Sequence, residues 1–197
     1  MALFQVGDGR GDLGERVAPV DLRSQLAALN QHPGRAPEGI NISRIGPTDD
    51  ALAIHAVLSE AFAKEWSPHL GSFDRWVEEQ SSTPSYDPSL WLLAKDGTEL
   101  VGVLTANTWG DRGCVSHLGV LAHYRRRGIG AALLRHSFAT FASRGVRRIV
   151  LNVDTDNPTG ATTLYEHVGM RVGKRWDMWE RSSEGSRQSR LAFNDDS

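Results

Sequence analysis

A single cysteine, Cys114, is all the chain contains, which excludes an internal disulfide framework. No Cys/His cluster has the spacing of zinc ligands, so no metal site is expected. No apolar run approaches the roughly 18 residues needed to cross a bilayer. Near the start, Gly7, Asp8, Gly9, Arg10 and Gly11 interrupt any run resembling a signal peptide. An excess of one charge is also missing: 22 Lys and Arg stand against 24 Asp and Glu, a formal net charge of −2. Such a balance provides no global attraction to nucleic acid or to an anionic membrane, so any anion site must be local. A complete GxGxxG and a Gly-Lys-Ser/Thr phosphate loop are both lacking, which argues against a Rossmann or phosphate-loop nucleotide binder. There is no internal repeat. The expectation is a soluble, cytoplasmic protein that engages neither nucleic acid nor membrane.

With 197 residues and 40% hydrophobic content, the chain suits one domain plus some extra length. Residues 1–39, rich in glycine, proline and charge, read as a partly disordered N-terminal extension. The core is expected over 40–181, and 182–197 as a polar, disordered tail. Alternation predicts a strand over 40–45, closed by Gly46-Pro47. Thr48 can then cap a helix presenting Ile54, Val57, Leu58, Ala61 and Phe62 on one side. A second helix is expected over 72–80. Strands over 90–95 and 100–108 are joined at Asp96-Gly97, a hairpin signal, and another strand follows over 113–120.

A helix over 128–143 carries Leu134, Phe138 and Phe141 at i, i+4 and i+7, and Gly145 ends it before a strand over 148–153. Strand, helix, strand at this spacing makes a right-handed parallel crossover. Asn157 as cap, Pro158 at the first helical position and Gly169 past the end define a short helix with Ala161, Leu164 and Val168 on its packing face. A last strand or strand pair is expected over 170–181.

The crossover's first turn reads Arg125-Arg126-Arg127-Gly128-Ile129-Gly130-Ala131. A turn that feeds a helix presents unpaired amides at the end where the helix dipole favours negative charge. Side chains absent at Gly128 and Gly130 let phosphate oxygens reach that backbone, and the three arginines supply cationic donors. The turn therefore suits a pyrophosphate-bearing acyl carrier.

With these elements placed, the chain resembles the GCN5-related N-acetyltransferase (GNAT) family. Arg125 to Gly130 matches the family's acetyl-CoA signature: Arg or Gln, two variable residues, Gly, one variable residue, then Gly or Ala. Leu118-Gly119-Val120 resembles the strand end whose backbone meets pantetheine, and Asn157 with Leu164 to Met170 matches a second family motif. The resemblance implies an α/β (α+β) fold: a mixed, mostly antiparallel sheet whose fourth and fifth strands run parallel, splay apart and are flanked by helices. It also implies an acetyl-CoA-dependent N-acetyltransferase working by direct transfer in a ternary complex. The alternative is an acyl-CoA-binding regulatory module with weak or no catalysis. Cofactor contacts are implied for Leu118, Gly119, Val120, Arg125, Arg126, Arg127, Gly128, Ile129, Gly130, Ala131 and Asn157. Asn157 serves equally as helix cap and as cofactor partner.

Moving an acyl group from thioester to amine needs a neutral nucleophile, a site for the oxyanion, and a proton for the thiolate. By resemblance Tyr165 is the acid, and a backbone N–H near Leu118 to Val120 meets the oxyanion. Several relatives place a glutamate on the fourth strand where this chain has Cys114, which reads as a small buried residue and not a nucleophile. By alternation the face-mates of Cys114 are Arg112, Ser116 and Leu118. His117 has the right chemistry for a base and the opposite parity, so it serves only if the strand bulges. The expected route for the proton is otherwise a water chain, or an amine that arrives neutral. Phe62 to Trp76 is aromatic-rich and reads first as packing of a helix pair, second as a wall for the acceptor, with Glu65 or Asp74 attracting a cationic amine. The acceptor, small molecule or peptide, is not named by the sequence, nor is the choice between monomer and homodimer.

Overall fold

The computed structural model describes residues 20–21, 35–46, 48–63, 70–151 and 161–171. Strand β1 (Ile40–Arg44) pairs antiparallel with β2 (Leu92–Asp96). β2 turns at Gly97 into β3 (Glu99–Trp109), and β3 turns at Gly110 into β4 (Arg112–Val120), each pair antiparallel. The crossover helix then returns the chain so that β5 (Arg148–Leu151) lies parallel to β4, from Arg112↔Arg148 to Val115↔Leu151. Val20–Asp21 adds a two-residue antiparallel segment on the outer side of β5, opposite Ile149 and Arg148. The sheet order is thus Val20–Asp21, β5, β4, β3, β2, β1. This is the mixed, mostly antiparallel sheet expected, with its parallel pair in the expected place. β4 runs five residues beyond its last described partner, and the place where the strands would part falls at residues 152–160, outside the described residues.

Two helices cover the sheet. α1 (Ala51–Phe62) buries Ile54, Val57, Leu58 and Ala61, the stripe its periodicity predicts. Its cap is Asp50, whose carboxylate accepts the amide of Leu52 at 2.8 Å, and not the expected Thr48. Asp49 is drawn elsewhere, to the Gly46 amide and the Lys95 ammonium, both at 2.6 Å. α2 (Phe73–Ser82) is capped by Ser72 and buries Trp76 against Trp91, with ring centroids 5.7 Å apart. α3 (Ile129–Ser143) seals the opposite face, with Leu134, Phe138 and Phe141 at zero exposure. The short α4 (Ala161–His167) packs on α3 and ends at Gly169, as its sequence predicts. The expected last strand over 170–181 and the tail lie outside the described residues from 172 onward.

One irregularity in β4 reorganises the site. Thr105 opposes His117, yet the next residue, Ala106, opposes Val115, so Ser116 is an extra residue in β4. Packing confirms the resulting change of parity. A Cβ on Gly113 would meet the Phe141 ring of α3 at 2.7 Å, whereas one on Gly119 would meet Leu58 and Ala61 of α1 at 3.0 Å. Positions six apart share a face in a regular strand, and only the inserted residue puts these on opposite sides. Cys114, His117 and Gly119 therefore face α1. The expected grouping of Cys114 with Ser116 and Leu118 is corrected, because the bulge restarts the alternation three residues after Cys114.

No helix among the described residues is long and apolar enough to cross a membrane.

Candidate active site

The glycine-rich turn lies where β4 hands the chain to α3. Gly128 is the N-cap of α3, at φ +84°, a backbone that favours glycine. The first helical bond runs from the Ala132 amide to the Gly128 carbonyl at 3.0 Å, so the amides of Ile129, Gly130 and Ala131 lie ahead of the helical ladder. Asp50 and Ser72 cap α1 and α2 through their side chains, while α3 has no such cap. Those amides and the positive end of a four-turn helix fit a diphosphate. Among the described residues no group of three His, Cys, Asp or Glu side chains could hold a metal ion.

The arginines divide their work. Arg125 donates through Nε to the Val120 carbonyl at 3.0 Å and through Nη2 to the Ala61 carbonyl at 2.7 Å. It ties the end of β4 to the carboxyl end of α1, where a cation also suits the helix dipole. Arg126 is exposed at φ +65°, and Arg127, also exposed, lies over the Tyr124 ring at 4.9 Å from its centroid. These two remain accessible to an anion.

Gly130 corrects the sequence reading. The space its side chain would fill is taken by Leu164 of α4, whose Cδ2 would lie 3.0 Å from a Cβ there. The missing side chain thus admits a neighbouring helix, and only the Gly130 amide is left for a ligand. By this contact α4 is seated directly on the turn. Leu164 brings Tyr165 with it, half-buried against the core, and burial pushes its phenol up to about 12. The hydroxyl is therefore protonated throughout the working range and available as a donor. Asn157 lies outside the described residues.

Leu118, Gly119 and Val120 occupy the end of β4 next to the turn, paired on one side with Leu104, Val103 and Gly102 of β3. Immediately before them His117, 5% exposed, sits with its Nδ1 2.8 Å from Thr105 Oγ1, and burial pushes its imidazole down to about 4. Nothing in the sequence singles out Thr105; its role comes from facing His117 across the strand pair. Cys114 is buried on the same face. The aromatic segment behaves as helix packing where it is described: Phe73 and Trp76 pack with His55, and Asp74 is exposed. Glu65 and Trp66 lie outside the described residues.

Comparison with known proteins agrees with this geometry. Residues 52–170 match the model of the "Acetyltransferase (GNAT) family". The chain is 34% identical over 164 residues to the mycothiol acetyltransferase of Streptomyces scabiei, covering 82% of this chain and 52% of that protein. It is 32% identical over 162 residues to the mycothiol acetyltransferase of Geodermatophilus obscurus, covering 76% and 51%. The chain thus spans about half the length of these curated relatives. Among solved structures, a GCN5-related N-acetyltransferase from Sphaerobacter thermophilus superposes with a TM-score of 0.66 at 32% identity, covering 84% of this chain and 50% of that one. The ribosomal-protein-S18-alanine N-acetyltransferase of Escherichia coli shares the fold at a TM-score of 0.52 and 24% identity, over 66% of this chain and 76% of that one. By sequence match, by sheet order and by the turn that opens α3, the chain belongs to the GNAT family of acetyltransferases.

Proposed function

We propose that the chain moves an acetyl group from acetyl-CoA to an amine by direct transfer in a ternary complex, within a domain spanning 40–181. The observation that carries this reading is the start of α3, which has no side-chain cap and onto which the tyrosine-bearing helix is locked through Gly130 and Leu164. The amides of Ile129, Gly130 and Ala131, with Arg126 and Arg127 beside them, hold the diphosphate. Leu118 to Val120 offer backbone to the pantetheine arm and an N–H to the oxyanion. The Tyr165 hydroxyl returns a proton to the departing thiolate. Asn157 contributes as cap, as cofactor partner or as both, and the protein acts in the cytoplasm as a monomer or homodimer.

The relatives' name attaches mycothiol to their acetyl transfer, which supports a small-molecule acceptor over a peptide. A second reading, a regulatory module that binds acetyl-CoA without turning it over, is favoured by the buried Cys114, which stands where the family resemblance implies a carboxylate. Calorimetry with acetyl-CoA, followed by a thiol-release assay with glucosamine, alaninamide and spermidine, separates the two. Saturable binding with thiol release on adding an amine is expected. Binding without release for any amine would leave the regulatory module, and no binding would remove both.

A further inference from the structure

His117 combines three features that rarely coincide in a merely structural residue. The Ser116 bulge turns it onto the α1 face, the face of Cys114. Its ring is 5% exposed and anchored, with Nδ1 2.8 Å from Thr105 Oγ1 on the neighbouring strand. Its Nε2 finds no hydrogen-bond partner among the described residues. A buried imidazole nitrogen left without a partner is costly, and natural folds tolerate one mainly where something absent from the structure fills the role. Nε2 lies at the far end of the ring from Cβ. Nδ1 is held to Thr105 on the neighbouring strand, and the Phe62 ring at the end of α1 lies 6.3 Å from the imidazole between centroids. The same end of α1 is stapled to the end of β4 by Arg125, so the ring borders the strand end proposed to carry the thioester.

We propose that Nε2 of His117 receives the nucleophilic amine of the acceptor, orienting it through one N–H bond and taking the proton that leaves as the amide forms. The proposal rests on the acetyl-transfer reading above. With Nδ1–H donating to Thr105 Oγ1, the ring is fixed in the tautomer whose lone pair sits on Nε2, which makes Thr105 a positioning residue. The step balances. The N–C bond forms as the C–S bond breaks, the amine proton passes to Nε2, and the sulfur takes a proton from the Tyr165 hydroxyl. Afterwards the imidazolium gives its proton to water and Tyr165 regains one from water. The bulge thereby puts a proton-accepting group on the face that Cys114 occupies, three residues further along β4.

The test pairs two variants with a spectroscopic measurement. His117→Phe keeps a ring and removes the acceptor atom; His117→Gln keeps an acceptor oxygen that does not titrate. In thiol-release assays with glucosamine, alaninamide and spermidine, His117→Phe is expected to lower kcat/KM for the amine about 100-fold or more. His117→Gln should lower kcat more than it raises the amine KM, and both should keep the KM for acetyl-CoA within about threefold. In the wild type with 15N-labelled histidine, NMR should show the Nδ1–H tautomer at His117 and a shift of its Nε2 resonance when the amine is added to the protein–CoA complex. Thr105→Val should give a mixture of tautomers with a smaller loss of rate. Amine kcat/KM within about threefold of wild type in His117→Gln, an Nε2–H tautomer, or an Nε2 signal unmoved by all three amines overturns the proposal, and the NMR readings stand even if His117→Phe does not fold. A wild type that binds acetyl-CoA but releases no thiol overturns the acetyl-transfer reading itself, a result distinct from all of these.

Discussion

Tyr165 and His117 are the two side chains proposed to carry protons, and burial acts on them in opposite directions. Taking a phenol out of water disfavours its anion and taking an imidazole out of water disfavours its cation, so both are held neutral. For Tyr165 the consequence is a donor that does not titrate in the neutral range. Tyr165→Phe is expected to lower kcat about 100-fold or more while acetyl-CoA affinity by calorimetry changes by less than about threefold. Unchanged turnover would take Tyr165 out of the reaction. For His117 the consequence is a pH-dependent stability. The folded ring titrates at about 4 and the unfolded one at its ordinary 6.5, so between those values the unfolded chain binds the extra proton. Stability from this residue is complete above about pH 6.5 and is lost as the pH falls toward 4, by about 3 kcal/mol in all. Among the described residues the groups in contact with the ring from β3 and α1 are Thr105 and Phe62, neither of them an acid or a base, and the buried Cys114 shares its face on β4. Urea unfolding at pH 7 and pH 5 should show a smaller drop for His117→Gln than for wild type; equal drops would show that the ring is hydrated.

Among the elements, the contact between α3 and α4 has the clearest consequence for the site. Gly130 reads in the sequence as clearance for a ligand, and the structure gives that clearance to Leu164. A local pattern shows that a position must be small; it does not show which neighbour requires it. Gly130→Ala needs only a few tenths of an ångström from the tip of a flexible leucine, and it improves helix propensity by about 1 kcal/mol. It should preserve folding and keep acetyl-CoA affinity within about threefold. Gly130→Leu forces α4 off the turn and should cost at least about tenfold in turnover, with weaker acetyl-CoA binding. Wild-type kinetics in Gly130→Leu would show that α4 is not seated there. The bulge in β4 is the other feature the local pattern hides. Continuous burial from Gly113 to His117 carries no alternation from which parity could be followed, so only the register against β3 reveals the extra residue.

At the scale of the whole molecule, α1 and α3 sandwich the sheet and Arg125 joins three regions: the turn, the end of β4 and the end of α1. Arg144, at the far end of α3, bonds Asp87 at 2.5 Å and Ser89 at 2.6 Å, fixing that end to the approach to β2. The sequence reads residues 1–39 as an extension, yet Val20–Asp21 pairs with β5 and Pro37 comes within 3.7 Å of where a Gly128 side chain would begin. Among the described residues, deleting 1–34 removes one short edge segment and none of the core. The shortened protein should therefore melt cooperatively at a lower temperature and still bind acetyl-CoA. Loss of a cooperative transition in calorimetry would show that the segment belongs to the fold.

Strand and helix order, the stripe on α1, the Leu134–Phe138–Phe141 face of α3 and the glycine-arginine turn were legible from the chain alone, because each is set by neighbours within a few residues. The family was legible for the same reason: its signatures are short and continuous. What depends on residues far apart had to await the tertiary structure. Asp50 capped α1 in place of Thr48, Leu164 filled the space at Gly130, and Arg125 turned two of its donors to carbonyls from two other elements. Above all, the pairing of β4 with β3 decided that His117 and Cys114 share a face, since one inserted residue moves every later side chain to the other side of a strand.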